Sequence, residues 1–310
     1  MDDAIRKAGV LIEALSYIRS FRDRITVIKL GGSAMEDADA LRTTLQDVLF
    51  METVGMRPVL VHGGGRSIDR AMDAAGLRIH KVQGRRYTDD RALDIVVHVL
   101  VDEINAGIVR DIRTLGGRAV GLHSEQLQCL FGERLVLPPG DGQDPIDLGR
   151  VGRVTRVDRS LIEDFCAAGV VPVIPSLAFD EQRQWLNVNA DTAAASVAGN
   201  LGAEKLVLLT DTPGILEDRS DDSTLISSLE ATRCRELIAQ GVIEGGMIPK
   251  VEACLESLER QVRKTHIIDG RLPHSLLLEI YTDRGVGTEI RAGNSAQTNG
   301  GTLTAAHIKG

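Results

Sequence analysis

The 310-residue sequence predicts an α/β fold on a mainly parallel, doubly wound sheet. Three observations carry that expectation. Runs of β-branched and aliphatic residues at 26–30, 57–62, 170–174 and 205–209 read as buried strands. Segments with helical spacing of apolar residues alternate with them. The first two strands also run straight into glycines, Gly31-Gly32 and Gly63-Gly64-Gly65, which suits anion-holding turns at one edge of such a sheet.

Composition narrows the function classes. At 43% hydrophobic and 26% charged the chain can bury a sizeable core, and its length suits one large or two medium domains. A net charge of −8 argues against nucleic acid or an anionic membrane as a partner, so small anionic ligands would need local basic patches. Cys129, Cys166, Cys234 and Cys254 are widely separated and form no C-x-x-C pair, which points to reduced thiols in a cytoplasmic protein. No apolar run approaches the roughly 20 residues of a membrane span, and the Met1-Asp2-Asp3 start is no signal peptide.

In chain order, residues 4–21 place Ile5, Ala8, Ile12, Leu15 and Ile18 at helical spacing. This amphipathic helix either caps the domain or pairs with another subunit. The first strand then hands over at Ile28-Lys29-Leu30-Gly31-Gly32-Ser33. The glycines let backbone N–H groups approach an anion without Cβ interference, and Lys29 adds a full charge. The pattern is not Walker A, which needs Gly-Lys-Ser/Thr after four intervening residues. A helix at 38–54 and a strand at 57–62 lead to Gly63-Gly64-Gly65 and a helical segment at 67–75, a second cradle at the same edge.

Gln83-Gly84-Arg85-Arg86-Tyr87-Thr88-Asp89 offers arginine, whose planar fork suits a carboxylate, ahead of a long helix at 91–115 capped by Thr88 or Asp89. After a strand at 119–122, short β runs over 130–157, broken by Pro138-Pro139-Gly140 and Gly142, read as hairpins over the sheet edge. A helix at 160–168 leads into the strand at 170–174. Asn187-Val188-Asn189-Ala190-Asp191 then alternates polar side chains along an extended segment, with Asp191 near the start of a helix at 192–200. From residue 203 the pattern restarts as a smaller α/β unit: a strand at 205–209, then Thr210-Asp211-Thr212-Pro213-Gly214, then Gly246-Met247-Ile248-Pro249-Lys250. Pro249 suits a first helical turn, and Lys250 near that positive end makes sense with an anion between them. A last strand at 265–268, a helix or strand at 274–280 and Gly285-Val286-Gly287-Thr288 close the fold, and 293–310 reads as a mobile tail.

Taken in this order, these motifs resemble the amino-acid kinase family over about residues 14–290. The resemblance implies a three-layer αβα sandwich with an N-terminal helix (1–22), an acylated-amino-acid lobe (23–200) and an ATP lobe (201–292). It implies ATP-dependent phosphorylation of the side-chain carboxylate of N-acetyl-L-glutamate, with Mg²⁺ carried mainly by the phosphates. Lys29 and Lys250 would stabilise the phosphoryl group in flight, and Asp191 would orient both. Gly64, Gly65, Arg86, Asn187 and Asn189 match substrate-binding positions. Gly31, Gly32, Thr210, Asp211, Gly214, Gly246 and Met247 match ATP-binding positions.

The N-terminal Ala14-Leu15-Ser16-Tyr17-Ile18-Arg19-Ser20-Phe21 and the C-terminal motifs also resemble the arginine-inhibited, hexameric members of the family. Tyr17, His266, Glu279 and Gly287 would then form an effector site, in a homodimer or a trimer of dimers, with a PII-type signalling protein as a conceivable regulator. Arg66 stands where the family usually has proline, His123-Ser124-Glu125-Gln126 where many members have Ser-Gly-Lys-Asp, and Ala106 where lysine is frequent. The rival readings are a family member acting on carrier-bound aminoadipate, aspartate or carbamate, and a catalytically silent arginine sensor. A Rossmann dehydrogenase is disfavoured, because Gly63-Gly64-Gly65-Arg66-Ser67-Ile68 lacks the Gly-x-Gly-x-x-Gly spacing.

Overall fold

The computed structural model describes residues 1–82, 85–137, 145–281 and 285–293. Its first half runs α1 (Asp2–Phe21), β1 (Ile25–Leu30), α2 (Ala38–Thr53), β2 (Arg57–His62), α3 (Gly65–Ala74), β3 (Lys81–Val82), β4 (Arg85–Arg86), α4 (Asp90–His98), α5 (Ala106–Thr114), β5 (Ala119–Gly121), β6 (Leu130–Leu137) and β7 (Ile146–Val157). The second half runs α6 (Arg159–Ala167), β8 (Val171–Pro175), β9 (Leu177–Phe179), β10 (Trp185–Val188), α7 (Ala190–Leu201), β11 (Lys205–Thr210), β12 (Ser228–Glu230), α8 (Ala231–Ala239), α9 (Ile248–Glu259), β13 (Lys264–Asp269), α10 (Ser275–Tyr281) and β14 (Thr288–Arg291).

Eight strands form one sheet in the order β12-β14-β13-β11-β1-β2-β8-β5. Every neighbour pairs in parallel except β13 with β14. Helices cover both faces, as the three-layer expectation requires. Alternation along the strands decides which side chain meets which layer. Val27, Val59 and Val61 pack with α6, α7, α8 and α9, whereas Ile28, Leu30 and Leu60 pack with α2, α5 and α10. Lys29 therefore shares the face of Val27, the face covered by α7.

The sheet grows outward from β1 through β2 and β8 to β5, and the chain then returns to β11 on the other side of β1. The crevice at the carboxyl ends of β1 and β11 is therefore a topological switch point, where such sheets bind ligands. The smaller unit expected from residue 203 is continuous with this sheet, because β11 pairs directly with β1. Over one edge, β10, β7, β6 and β9 close a small barrel, with bulges where β6 meets β7.

Several expected elements change in detail. The long helix at 91–115 is three segments: α4, a π-helical stretch Val99–Asn105, and α5. Asp89 is its cap, accepting from the Ala92 N–H at 2.8 Å. The helix after the triple glycine begins at Gly65, and the segment near 274–280 is the helix α10. The helix α8 and the strands β12 and β14 had no counterpart in the sequence reading. Pro138-Pro139-Gly140, Gly142, Gly84 and the expected tail from residue 294 lie outside the described residues. The four cysteines are free and buried, and among the described residues no helix is long and apolar enough to cross a membrane.

Candidate active site

Three elements converge on one carboxylate. Asn189 caps α7, its side-chain oxygen accepting from the N–H groups of Asp191 at 2.9 Å and Thr192 at 3.1 Å. The cap sets Asp191 in the first turn, facing β1. There Asp191 Oδ1 meets Lys29 Nζ at 2.8 Å, with the two side chains only 7% and 8% exposed. The helix α9 packs on α7 and brings Lys250 Nζ to within 3.5 Å of Asp191 Oδ2 and 3.4 Å of the Gly246 carbonyl. Each carboxylate oxygen thus holds one lysine. Burial pushes the Asp191 carboxyl up, but Lys29 and Lys250 outweigh it and hold the group below the usual aspartate range.

Lys29 folds back over the turn that follows it. A Cβ on Gly31 would overlap the Lys29 amine, so a side chain here would push that amine off its 2.8 Å contact with Asp191. Gly32 is needed for conformation, with φ +66° in the left-handed region. Its turn also touches the loop after β11: a Cβ on Gly32 would lie 3.4 Å from the Asp211 nitrogen.

Two cavities meet at the lysines. One of about 590 Å³ is lined by Lys29, Gly31, Gly32, Gly64, Gly65, Arg86, Asn187, Asn189 and Asp191. The other, of about 320 Å³, is lined by Asp211, Gly214, Gly246, Met247 and Lys250. Thr210 lines neither. It is buried, and its hydroxyl bonds the Thr212 carbonyl at 2.9 Å and the Thr212 N–H at 3.1 Å, closing the turn after β11.

Within the larger cavity the polar side chains are braced from behind. Arg86 pairs with Asp69 and donates to the Gly65 carbonyl at 3.3 Å, and Asn187 donates to the Thr88 hydroxyl at 3.1 Å. Arg66 spans the mouth, 3.2 Å from both Glu36 and Asp211. The sequence reading missed Asp69 and Glu36. Glu36 lies in a turn and Asp69 in a helix, and only the fold brings Glu36 to Arg66 and Asp69 to Arg86.

A third cavity, of about 670 Å³, lies near the far end of β11 and is lined by Tyr17, Lys205, Lys264, His266, Glu279 and Glu289. Glu279 accepts from His266 Nδ1 at 2.6 Å and from the Val286 and Gly287 N–H groups at 2.7 and 3.1 Å. Gly287 thus holds the Glu279 carboxylate instead of lining the cavity. Burial pushes Glu279 up, but these donors hold it below its ordinary value, while burial lowers His266. The pair is a neutral imidazole donating to a carboxylate.

The chain is 46% identical over 290 residues to an acetylglutamate kinase of Heliobacterium modesticaldum, covering 93% of this chain and 98% of that protein. It is 45% identical over 291 residues to an acetylglutamate kinase of Synechocystis, covering 94% and 95%. An N-acetylglutamate synthase from Neisseria gonorrhoeae, solved with coenzyme A and N-acetyl-glutamate, superposes with a TM-score of 0.79 at 25% identity, covering 92% of this chain and 63% of that one. A carbamate kinase from Giardia lamblia, at a TM-score of 0.62 and 16% identity, shares the fold. The model of the amino acid kinase family matches residues 24–269, and with these relatives over nearly its whole length the chain belongs to that family.

Proposed function

We infer that the chain transfers the terminal phosphoryl group of ATP to the side-chain carboxylate of N-acetyl-L-glutamate, giving N-acetylglutamyl 5-phosphate in arginine biosynthesis. The observation that carries this reading is the Lys29–Asp191–Lys250 bridge at the junction of the two cavities. Such a transfer needs no nucleophilic side chain, because the substrate carboxylate attacks the phosphorus as the bond to ADP breaks. It needs positive charge held still where charge develops, and Asp191 fixes two ammonium groups there.

Acetylglutamate occupies the 590 Å³ cavity, with Gly64 and Gly65 N–H groups, Arg86 and Asn187 as its contacts. Asn189 acts chiefly by capping α7 and so aiming Asp191. The nucleotide occupies the 320 Å³ cavity beside Asp211, Gly214, Gly246 and Met247, with Gly31 and Gly32 toward its phosphates. Thr210 supports that site by shaping the loop. The lobes for substrate (23–200) and ATP (201–292) then meet at the lysines. Mg²⁺ would be held mainly by the ATP phosphates and would supply neutralisation of their charge, while the Asp191 carboxylate is shared by the two lysines.

The test is chemical: with MgATP, hydroxylamine should trap an acyl phosphate from acetylglutamate and not from glutamate, aspartate or aminoadipate. Trapping only with aminoadipate, or with none of them, would overturn the reading.

The 670 Å³ cavity supports feedback inhibition by arginine, because its lysines and glutamates suit a charged amino acid. Tyr17 stands on α1 beside it. Millimolar arginine should slow the wild-type protein, and Glu279→Gln should be insensitive to it at near-normal basal activity. A wild type whose activity and oligomer size both ignore arginine would sink this part. On α1, Ile5 and Ile12 are 62% and 71% exposed. That stripe favours the interlacing helix of a homo-oligomer over a simple cap.

A further inference from the structure

Behind the triple glycine lies a buried polar group that the reaction above does not use. His62 ends β2 on the face opposite Asp191 and is fully buried. Its Nδ1 lies 3.2 Å from the Gly63 carbonyl, and its Nε2 lies 3.0 Å from Asn105 Nδ2. The same amide nitrogen donates to the Val173 carbonyl at 3.1 Å.

These contacts admit one assignment of hydrogens. A carbonyl only accepts, so Val173 fixes the amide with its nitrogen inward, and the second amide N–H then faces Nε2. Nε2 must accept. The Gly63 carbonyl likewise demands a proton on Nδ1. Burial pushes the imidazole pKa down to about 4, so the ring stays neutral at ordinary pH.

The placement of Asn105 has its own requirements. It ends the π-helical stretch Val99–Asn105, and such an irregular turn often marks a functional site. A Cβ on Gly121 would overlap its Oδ1. Among the described residues that Oδ1 is buried without a hydrogen-bond partner, a cost that an apolar residue would avoid. The Gly64 peptide is held from the other side as well, where a Cβ would sit 2.7 Å from Ile104 and 2.9 Å from Leu100.

We propose that Asn105 and His62 are positioning residues for the substrate: Asn105 fixes the His62 tautomer, and His62 holds the Gly63 carbonyl toward the core. In a trans peptide the carbonyl and the next N–H point opposite ways, and no peptide bond among the described residues is cis. The Gly64 N–H is thereby aimed into the 590 Å³ cavity. This rests on the reading that acetylglutamate binds there.

Asn105→Asp is the test, because a carboxylate can only accept and so draws the proton to Nε2. In protein labelled with ¹⁵N-histidine, the wild-type His62 ring should read as the neutral Nδ1–H tautomer from pH 6 to 8, well above its pKa of about 4. The variant should show the neutral Nε2–H tautomer, which leaves Nδ1 with no proton for the Gly63 carbonyl, with acetylglutamate affinity weakened about tenfold or more and ATP affinity unchanged. Gly121→Ala, whose Cβ would crowd Asn105 and the His123 ring without adding charge, should show the same loss and serves if Asn105→Asp does not fold. Arg86→Gln is measured alongside. If it loses acetylglutamate while Asn105→Asp and Gly121→Ala keep it, the positioning role is overturned and the cavity assignment stands. If none of the three loses it, the cavity assignment fails and the proposal falls with it.

Discussion

Lys29→Ala is expected to lower kcat by about 10²–10³-fold, the effect of removing one preorganised charge or donor from a developing anion. The loss reaches further than the missing ammonium. Asp191 would keep only Lys250, at 3.5 Å and with 22% of its side chain exposed, so the carboxylate would lose its close partner while remaining buried. The stability cost should fall below the ~3–5 kcal/mol of a wholly orphaned buried charge, because one lysine remains. Its pH dependence has a definite sign. Asp191 titrates below its ordinary value in the folded protein, so its pairing stabilises above the unfolded aspartate range near pH 4 and is lost as pH falls through the folded value. With Lys29 gone, burial is opposed by one charge instead of two. Acid unfolding followed by circular dichroism should therefore begin at a higher pH than in the wild type.

Lys250→Ala should cost turnover about 10²-fold with little effect on stability or on acetylglutamate affinity. Lys250 is the more exposed partner, and it lines the smaller cavity. Nothing it touches supports the larger one except Asp191, which keeps its 2.8 Å contact with Lys29. The two lysine variants should thus differ in stability and resemble each other in chemistry. A Lys250→Ala protein that binds acetylglutamate poorly at normal turnover would place the lysine on the substrate instead of on the phosphoryl group.

The parts of this site that could be read from the sequence are those written in local pattern. An aliphatic run ending in Lys29-Leu30-Gly31-Gly32 declares both a buried strand and a turn, and the turn's glycines are needed locally. The meeting of Lys29 with Asp191 follows from strand alternation together with the order of helices on one face, so the order of motifs could only suggest it. Pairings such as Arg86 with Asp69 have no local signature, because a helical aspartate reads as solvated surface wherever it falls.

The missed elements have similar causes. The π-helical stretch leaves the apolar spacing of 91–115 close to that of an unbroken helix, so nothing in the periodicity marks it. The strand β14, Thr288-Glu289-Ile290-Arg291, is short, and it is recruited by its pairing with β13 more than by its own composition. The helix α8 buries only Cys234 and Leu237, too few apolar positions to announce a helix. Thr210 matches an ATP-binding position by its place in the motif, and motif order alone does not show that its hydroxyl bonds the Thr212 backbone.

In the proposed mechanism Lys29 and Lys250 act together on the phosphoryl group as it moves between the two cavities. Acid-quench measurement of a single turnover at saturating ATP and acetylglutamate, in the wild type and both lysine variants, tests it most directly when paired with acetylglutamate affinity. Transfer should slow by about two orders of magnitude in each variant, with affinity little changed in Lys250→Ala. Transfer at the wild-type rate in either variant, with the loss appearing in acetylglutamate binding alone, would contradict it.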